Sequence, residues 1–221
     1  MIKIKTSLVY IVCNGVFNDK SFYKDLFRNT TKGTIIVGVD GGNNFLNSIN
    51  VKPNYVVGDF DSIDKGILSF YKSDKQIKVV YKNSQDITDL QLAIKVVNEL
   101  KPRKVVILGA ISDRFDHTLS NAITLDEINE NVDAVIINES NEVRLVKNKI
   151  NISGKVGDTV SILPVTDIKG LTYKGLKWLV EDLDVKTGWL GVSNEFVKER
   201  IEISLKKGKI FVITQSNKSS L

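Results

Sequence analysis

Across the first 138 residues, short and nearly unbroken apolar runs alternate with longer stretches of helical periodicity. Residues 8–13, 34–39, 55–57, 77–81, 105–108 and 134–137 are short and rich in β-branched side chains, which predicts strands. Runs without polar alternation belong to strands covered on both faces, as in a parallel sheet flanked by helices. The longer stretches predict helices over 21–27, 41–49, 64–73, 86–100 and 116–130. Such alternation predicts an α/β fold with a doubly wound, mostly parallel sheet.

The texture changes at 138–141. Beyond it the apolar runs (142–146, 159–163, 168–172, 178–180, 199–203 and 209–213) are separated by Gly154, Gly157, Gly170, Gly175, Gly188, Gly191 and Gly208. Strands between such breakers predict a small antiparallel β-sandwich or barrel. The expected division is therefore 1–138 for an α/β domain and 139–221 for an all-β domain. A domain of about 80 residues is marginal alone, which favours docking or dimerisation. The tail from Ser216 is expected to fray.

Composition narrows the chemistry. The single cysteine, Cys13, excludes an internal disulfide framework and cysteine-rich zinc sites, and the single histidine, His117, excludes histidine clusters. Hard-cation sites built from carboxylates remain open. The net charge of +5 comes from 31 basic and 26 acidic residues. The lysines are scattered, so ordinary lysine-rich usage explains the balance better than a nucleic-acid surface. No run reaches the 18 or so apolar residues of a membrane span, and residues 8–13 are too short for a signal-peptide core. The expected location is the cytoplasm, with neither nucleic acid nor membrane as partner.

Polar signatures follow the predicted strands. Gly58-Asp59-Phe60-Asp61-Ser62 sets two carboxylates at a strand end, where they either share a hard cation such as magnesium or form a capped polar turn. Asp86-Ile87-Thr88-Asp89 places two carboxylates three apart, either on one helix face near its positive end or as a cap and a first-turn acid. Asp40-Gly41-Gly42 is a strand-to-helix turn that would let backbone approach a phosphate, though it lacks P-loop and dinucleotide spacing. The stretch 109–117 brings Arg114, a fork suited to phosphate oxygens, together with Asp116 and His117; Asn121 lies one helical turn beyond His117. Carboxylates, glycine turns and an arginine collected along one sheet edge favour phosphoryl-type transfer.

Together these stretches resemble the thiamin pyrophosphokinase family: GVDGG at 38–42, GDFDS at 58–62, DITD at 86–89, RFDHTLSN at 114–121, GLKW at 175–178 and VSNEF at 192–196. The resemblance spans nearly the whole chain. It implies a nucleotide-binding catalytic domain followed by a thiamine-binding and dimerisation domain, assembled as a homodimer with a composite active site. The implied reaction transfers the pyrophosphoryl group of ATP to the thiamine hydroxyl, with Mg2+, giving thiamine diphosphate and AMP. By the same resemblance Asp59, Asp61, Asp86 and Asp89 are metal ligands and catalytic residues, joined in catalysis by Arg114 and Asp116. Asp40, Gly41, Gly42, Arg114, His117 and Asn121 fall on the ATP side; Trp178, Ser193 and Asn194 fall on the thiamine side.

An indole can stack on a planar cationic ligand, but without the family context a tryptophan beginning a short strand better suits a core or an interface. The chain departs from the family pattern at Ser112-Asp113, where paired glycines are usual, at Gln91, where glutamate is usual, and at Asn43-Asn44. These departures bear on nucleotide preference more than on metal use. The alternatives are a Mg-dependent phosphatase or nucleotidyltransferase on the same acidic edge, or a nucleotide-binding protein without turnover.

Overall fold

The computed structural model describes residues 7–28 and 30–215 and divides into two compact units, Met1–Glu139 and Ser140–Leu221. The tail from Ser216 lies outside the described residues.

In the first unit the strands are β1 (Leu8–Val12), β2 (Thr34–Val39), β3 (Tyr55–Gly58), β4 (Lys78–Tyr81), β5 (Lys104–Leu108) and β6 (Asp133–Ile137). They pair in parallel in the order β6-β5-β1-β2-β3-β4. The chain winds outward from β1 to β4, then returns to β5 on the other side of β1. That reversal is the doubly wound arrangement, which places ligand sites beyond the C-terminal strand ends. Val9, Ile11 and Val12 are all fully buried, which explains why β1 shows no polar alternation.

Helices α1 (Lys20–Arg28), α2 (Gly42–Ser48), α3 (Lys65–Ser73), α4 (Asp89–Leu100) and α5 (Phe115–Ile123) fill the crossovers. In α4 the residues Leu90, Ala93, Ile94 and Val97 recur on one face, and all four are buried. Its start differs from the expectation at 86. The Thr88 side chain accepts from the Gln91 backbone, and the Gln91 side chain accepts from the Thr88 N–H, a reciprocal cap that begins the helix at Asp89. Asp86 therefore lies in the preceding turn, where it accepts from the Ser84 hydroxyl. The helix expected over 116–130 ends at Ile123 and continues only as a 3-10 turn, Thr124–Glu127.

The second unit holds β7 (Asn141–Val146), β8 (Lys149–Ser153), β9 (Thr159–Pro164), β10 (Ile168–Lys174), β11 (Val180–Val185), β12 (Gly191–Glu195), β13 (Arg200–Ser204) and β14 (Ile210–Gln215). They form antiparallel layers, β12-β9-β14-β7 and β11-β10-β13-β8. Val160, Ile162 and Val212 of one layer share a core with Leu171, Ile201 and Ile203 of the other, so the unit is a sandwich. The apolar pattern did not reveal β8 or β12. In β8 only Ile152 is buried, and in β12 only Asn194 is, so neither carries a buried apolar stripe.

Candidate active site

Three adjacent parallel strands each end directly in a charged residue: Asp40 after β2, Asp59 after β3 and Lys82 after β4. The ladder continues one step past the strands, with the Asp40 N–H donating to the Val57 carbonyl at 2.8 Å and the Lys82 N–H to the Gly58 carbonyl at 2.9 Å. Asp89, first residue of α4, joins them. One carboxylate oxygen from each of Asp40, Asp59 and Asp89 lies within 4.8 Å of the others.

Lys82 sits inside this group. It is only 8% exposed, and its Nζ stands 3.0 Å from Asp59 Oδ2 and 3.1 Å from Asp89 Oδ1. The ammonium holds the Asp59 carboxyl below its ordinary range. Burial alone would push the Lys82 pKa down; the two carboxylates reverse that and leave it raised. Asp40 goes the other way, because burial pushes its pKa up and the neighbouring Asp61 charge adds to the rise. Cys13 is buried, and burial together with the Asp89 charge drives its thiol to about 12, which disfavours the nucleophilic thiolate at neutral pH.

Three carboxylates against one ammonium leave two negative charges, which one divalent ion neutralises. Asp89 Oδ1 is sealed from solvent, and its charged neighbour there is Lys82 Nζ at 3.1 Å. Three carboxylate oxygens within 4.8 Å of one another form a donor set suited to a hard cation such as Mg2+.

Local structure explains how the group assembles. Asp40 has φ 40° and Phe60 has φ 67°, left-handed values that turn the chain sharply beyond each strand. Gly58, at φ +145°, lets the Asp40 side chain approach: a Cβ there would lie 3.1 Å from Asp40 Cβ. The Ser62 N–H donates to Asp40 Oδ1 at 3.2 Å. Asn44 ties the two loops together, donating to the Ser62 carbonyl at 2.9 Å and accepting from the Asp64 N–H at 2.8 Å. Asn43 is fully buried beside Gly38, where any side chain would strike its Oδ1. The Asn43-Asn44 departure thus has a structural role.

Not every candidate joins the cluster. Asp61 is exposed and accepts from the Ser62 hydroxyl at 2.7 Å, on the rim beside Asp40. Asp86 is held by Ser84. Arg114 and Asp116 pair with each other at 2.6 Å on the exposed start of α5, where each stabilises its partner's charged form. His117 is exposed, and Asn121 donates to the Ala110 carbonyl at 2.8 Å, anchoring α5 to the loop after β5. Packing accounts for both glycines of the Asp40 turn: a Cβ on Gly42 would lie 2.1 Å from the Val12 carbonyl, and one on Gly41 would lie 2.4 Å from the Asn14 side chain.

In the second unit Trp178 is 57% exposed, in the bend before β11 and not at the head of a strand. Lys177 Nζ lies 5.2 Å from the centre of its ring and pairs with Glu195 at 3.0 Å. Asn194 is buried and bonds the Trp178 backbone. Ser193 is exposed at φ 58°, in the bulge where β12 shifts register against β9.

Comparison with known families gives two matches. The model of the thiamin pyrophosphokinase catalytic domain covers residues 27–137, and that of the thiamin pyrophosphokinase vitamin B1 binding domain covers 147–210. The chain belongs to the thiamin pyrophosphokinase family. It is 28% identical over 214 residues to the thiamine pyrophosphokinase of Bacillus subtilis, covering 95% of this chain and 99% of that one. Against thiamin pyrophosphokinase 1 of Caenorhabditis elegans it is 29% identical over 178 residues, covering 75% of this chain and 71% of the relative. The Bacillus subtilis crystal structure superposes with a TM-score of 0.82 at 27% identity, covering 96% of this chain and all of that one.

The thiamin pyrophosphokinase motifs led to Asp59 and Asp89 but not to Lys82. Its signal was positional: it follows a strand as directly as Asp40 and Asp59 do. The resemblance assigns Asp40 to the nucleotide side, whereas the structure sets its carboxylate among the acidic oxygens.

Proposed function

We propose that this chain transfers the pyrophosphoryl group of ATP to the hydroxyl oxygen of thiamine, giving thiamine diphosphate and AMP. The observation that carries the reading is the meeting of Asp40, Asp59 and Asp89 within 4.8 Å, in a chain of the thiamin pyrophosphokinase family. In the reaction the thiamine oxygen forms a bond to the β-phosphorus and loses its proton. The bond from that phosphorus to the oxygen of the α-phosphate breaks, and AMP leaves with the electron pair.

Asp40, Asp59 and Asp89 would hold Mg2+, with Asp61 at the rim. When bound, the ion neutralises phosphate oxygens that the acidic cluster would otherwise repel. Arg114, exposed at the start of α5, is suited to offset further phosphate charge. Because the nucleophile is a neutral alcohol, positioning and electrostatics supply most of the rate. Trp178 offers an exposed indole to a planar cation.

The same reading includes a homodimer with a composite site. It is supported by apolar side chains exposed in each unit: Phe115, Leu119 and Ile123 one turn apart on α5, and Leu179, Leu190 and Val192 on the sandwich. No helix among the described residues is long and apolar enough to cross a membrane. One buried, protonated thiol fits a reducing compartment such as the cytoplasm.

The test is one reaction of purified protein with Mg2+, thiamine and a panel of nucleotides, resolving all products. Equal amounts of AMP and thiamine diphosphate are expected. Orthophosphate or a nucleotidyl adduct would replace this reading with a phosphatase or nucleotidyltransferase.

A further inference from the structure

Lys82 has no counterpart among the residues the family motifs single out, yet it bridges two of the three clustered carboxylates. Its side chain is buried, and its Nζ spans Asp59 and Asp89, at 3.0 and 3.1 Å. Its backbone is fixed as well, by the bond from its N–H to the Gly58 carbonyl, so the side chain enters from a rigid strand end. Three carboxylates this close repel strongly when nothing neutralises them, and a buried charge without a partner is expensive.

We infer that Lys82 is a resident counter-cation that keeps Asp59 and Asp89 in place when no divalent ion is bound, and that it sets the affinity of the site for that ion. This rests on the Mg2+ reading above. Lys82 is thus a positioning residue with two opposed effects. Its charge stabilises the metal-free cluster by bridging two carboxylates. The same charge weakens divalent binding, because an incoming cation meets one positive charge already among its ligands.

Opposed effects give the inference a signature that a packing role lacks. Lys82→Met should lower the melting temperature of the full chain in chelator by about 5 °C or more. It should also tighten Mg2+ binding, measured by calorimetric titration, by roughly tenfold. In saturating Mg2+ the melting gap between variant and wild type should close. Lys82→Arg keeps a cation and should stay near wild type in both measurements. Adding Asp59→Asn to Lys82→Met removes one charge of each sign and should recover much of the lost stability in chelator. If Lys82→Met alone does not fold, that double variant carries the test.

A melting gap that is the same with and without Mg2+, or a double variant as unstable as Lys82→Met, would reduce Lys82 to packing and overturn the inference while leaving the Mg2+ reading intact. A wild-type chain whose melting and calorimetric traces do not respond to Mg2+ would remove both.

Discussion

Asn194 holds the backbone of Trp178 from both sides, accepting its N–H at 3.1 Å and donating to its carbonyl at 2.8 Å. The amide is buried while the indole it supports is exposed, so the pair separates support from display. Asn194→Ala should cost about 1–3 kcal/mol, since it leaves backbone groups without partners. It should also raise the KM for thiamine by disordering the indole. Trp178→Ala should raise that KM without a comparable loss of stability. Thermal melts and thiamine titrations of the two variants check the contrast, and a stability loss in Trp178→Ala that matched Asn194→Ala would contradict it.

Asp89 and Asp86 belong to one motif but to different surroundings. Asp89 opens α4 within the carboxylate cluster, whereas Asp86 accepts from the Ser84 hydroxyl in the turn before it. Asp89→Asn should reduce turnover by about 100-fold or more, the scale expected when a metal ligand or charge-stabilising group is lost. Asp86→Asn should reduce it by less than about tenfold, and Mg2+-dependent rates of both variants decide the ranking.

Asp40 is a charge that folding buries, and its raised pKa reflects that cost. Asn fits the same left-handed backbone and can still accept from the Ser62 N–H. Asp40→Asn should therefore raise metal-free stability at pH 7 by roughly 1 kcal/mol, about 2–4 °C, while abolishing the stabilising response to Mg2+. A metal-free melting temperature below wild type would contradict it.

Acid should act on the sandwich through Asp167, whose carboxyl is lowered to about 2 by Lys186 and by the Thr187 N–H. A folded pKa below the unfolded value of about 4 means stability that is present above pH 4 and lost as pH falls toward 2. Asp167→Asn should thus be less stable than wild type at pH 7, with the gap closing between pH 4 and 2. Denaturant midpoints across that range test the sign.

Backbone approach accounts for Gly42, whose added Cβ would sit 2.1 Å from the Val12 carbonyl. Gly42→Ala should cost about 1–3 kcal/mol by forcing α2 away from β1. Unchanged denaturation midpoints would show that the turn relaxes freely.

Periodicity carried the parallel sheet because both its faces are covered, which leaves unbroken apolar runs such as residues 8–12. It missed β8 and β12 because a strand with one buried residue has no stripe to read. The boundary error at 86 has a chemical cause: aspartate and threonine both cap helices, and only Thr88 has Gln91 three residues on to return the bond. Within the site, Asp59 and Asp89 were legible because their motifs are local. The part played by Lys82 depends on parallel register, which aligns Tyr81 with Gly58 and so brings Lys82 beside Asp59, and no local spacing encodes that alignment.

The fate of the β-phosphorus is the most direct measure of the central claim. With ATP labelled at that atom, Mg2+ and thiamine, a single turnover should place all transferred label in thiamine diphosphate and none in AMP, and Asp59→Asn should abolish the transfer. Label recovered in ADP or free pyrophosphate, with thiamine unmodified, would contradict it.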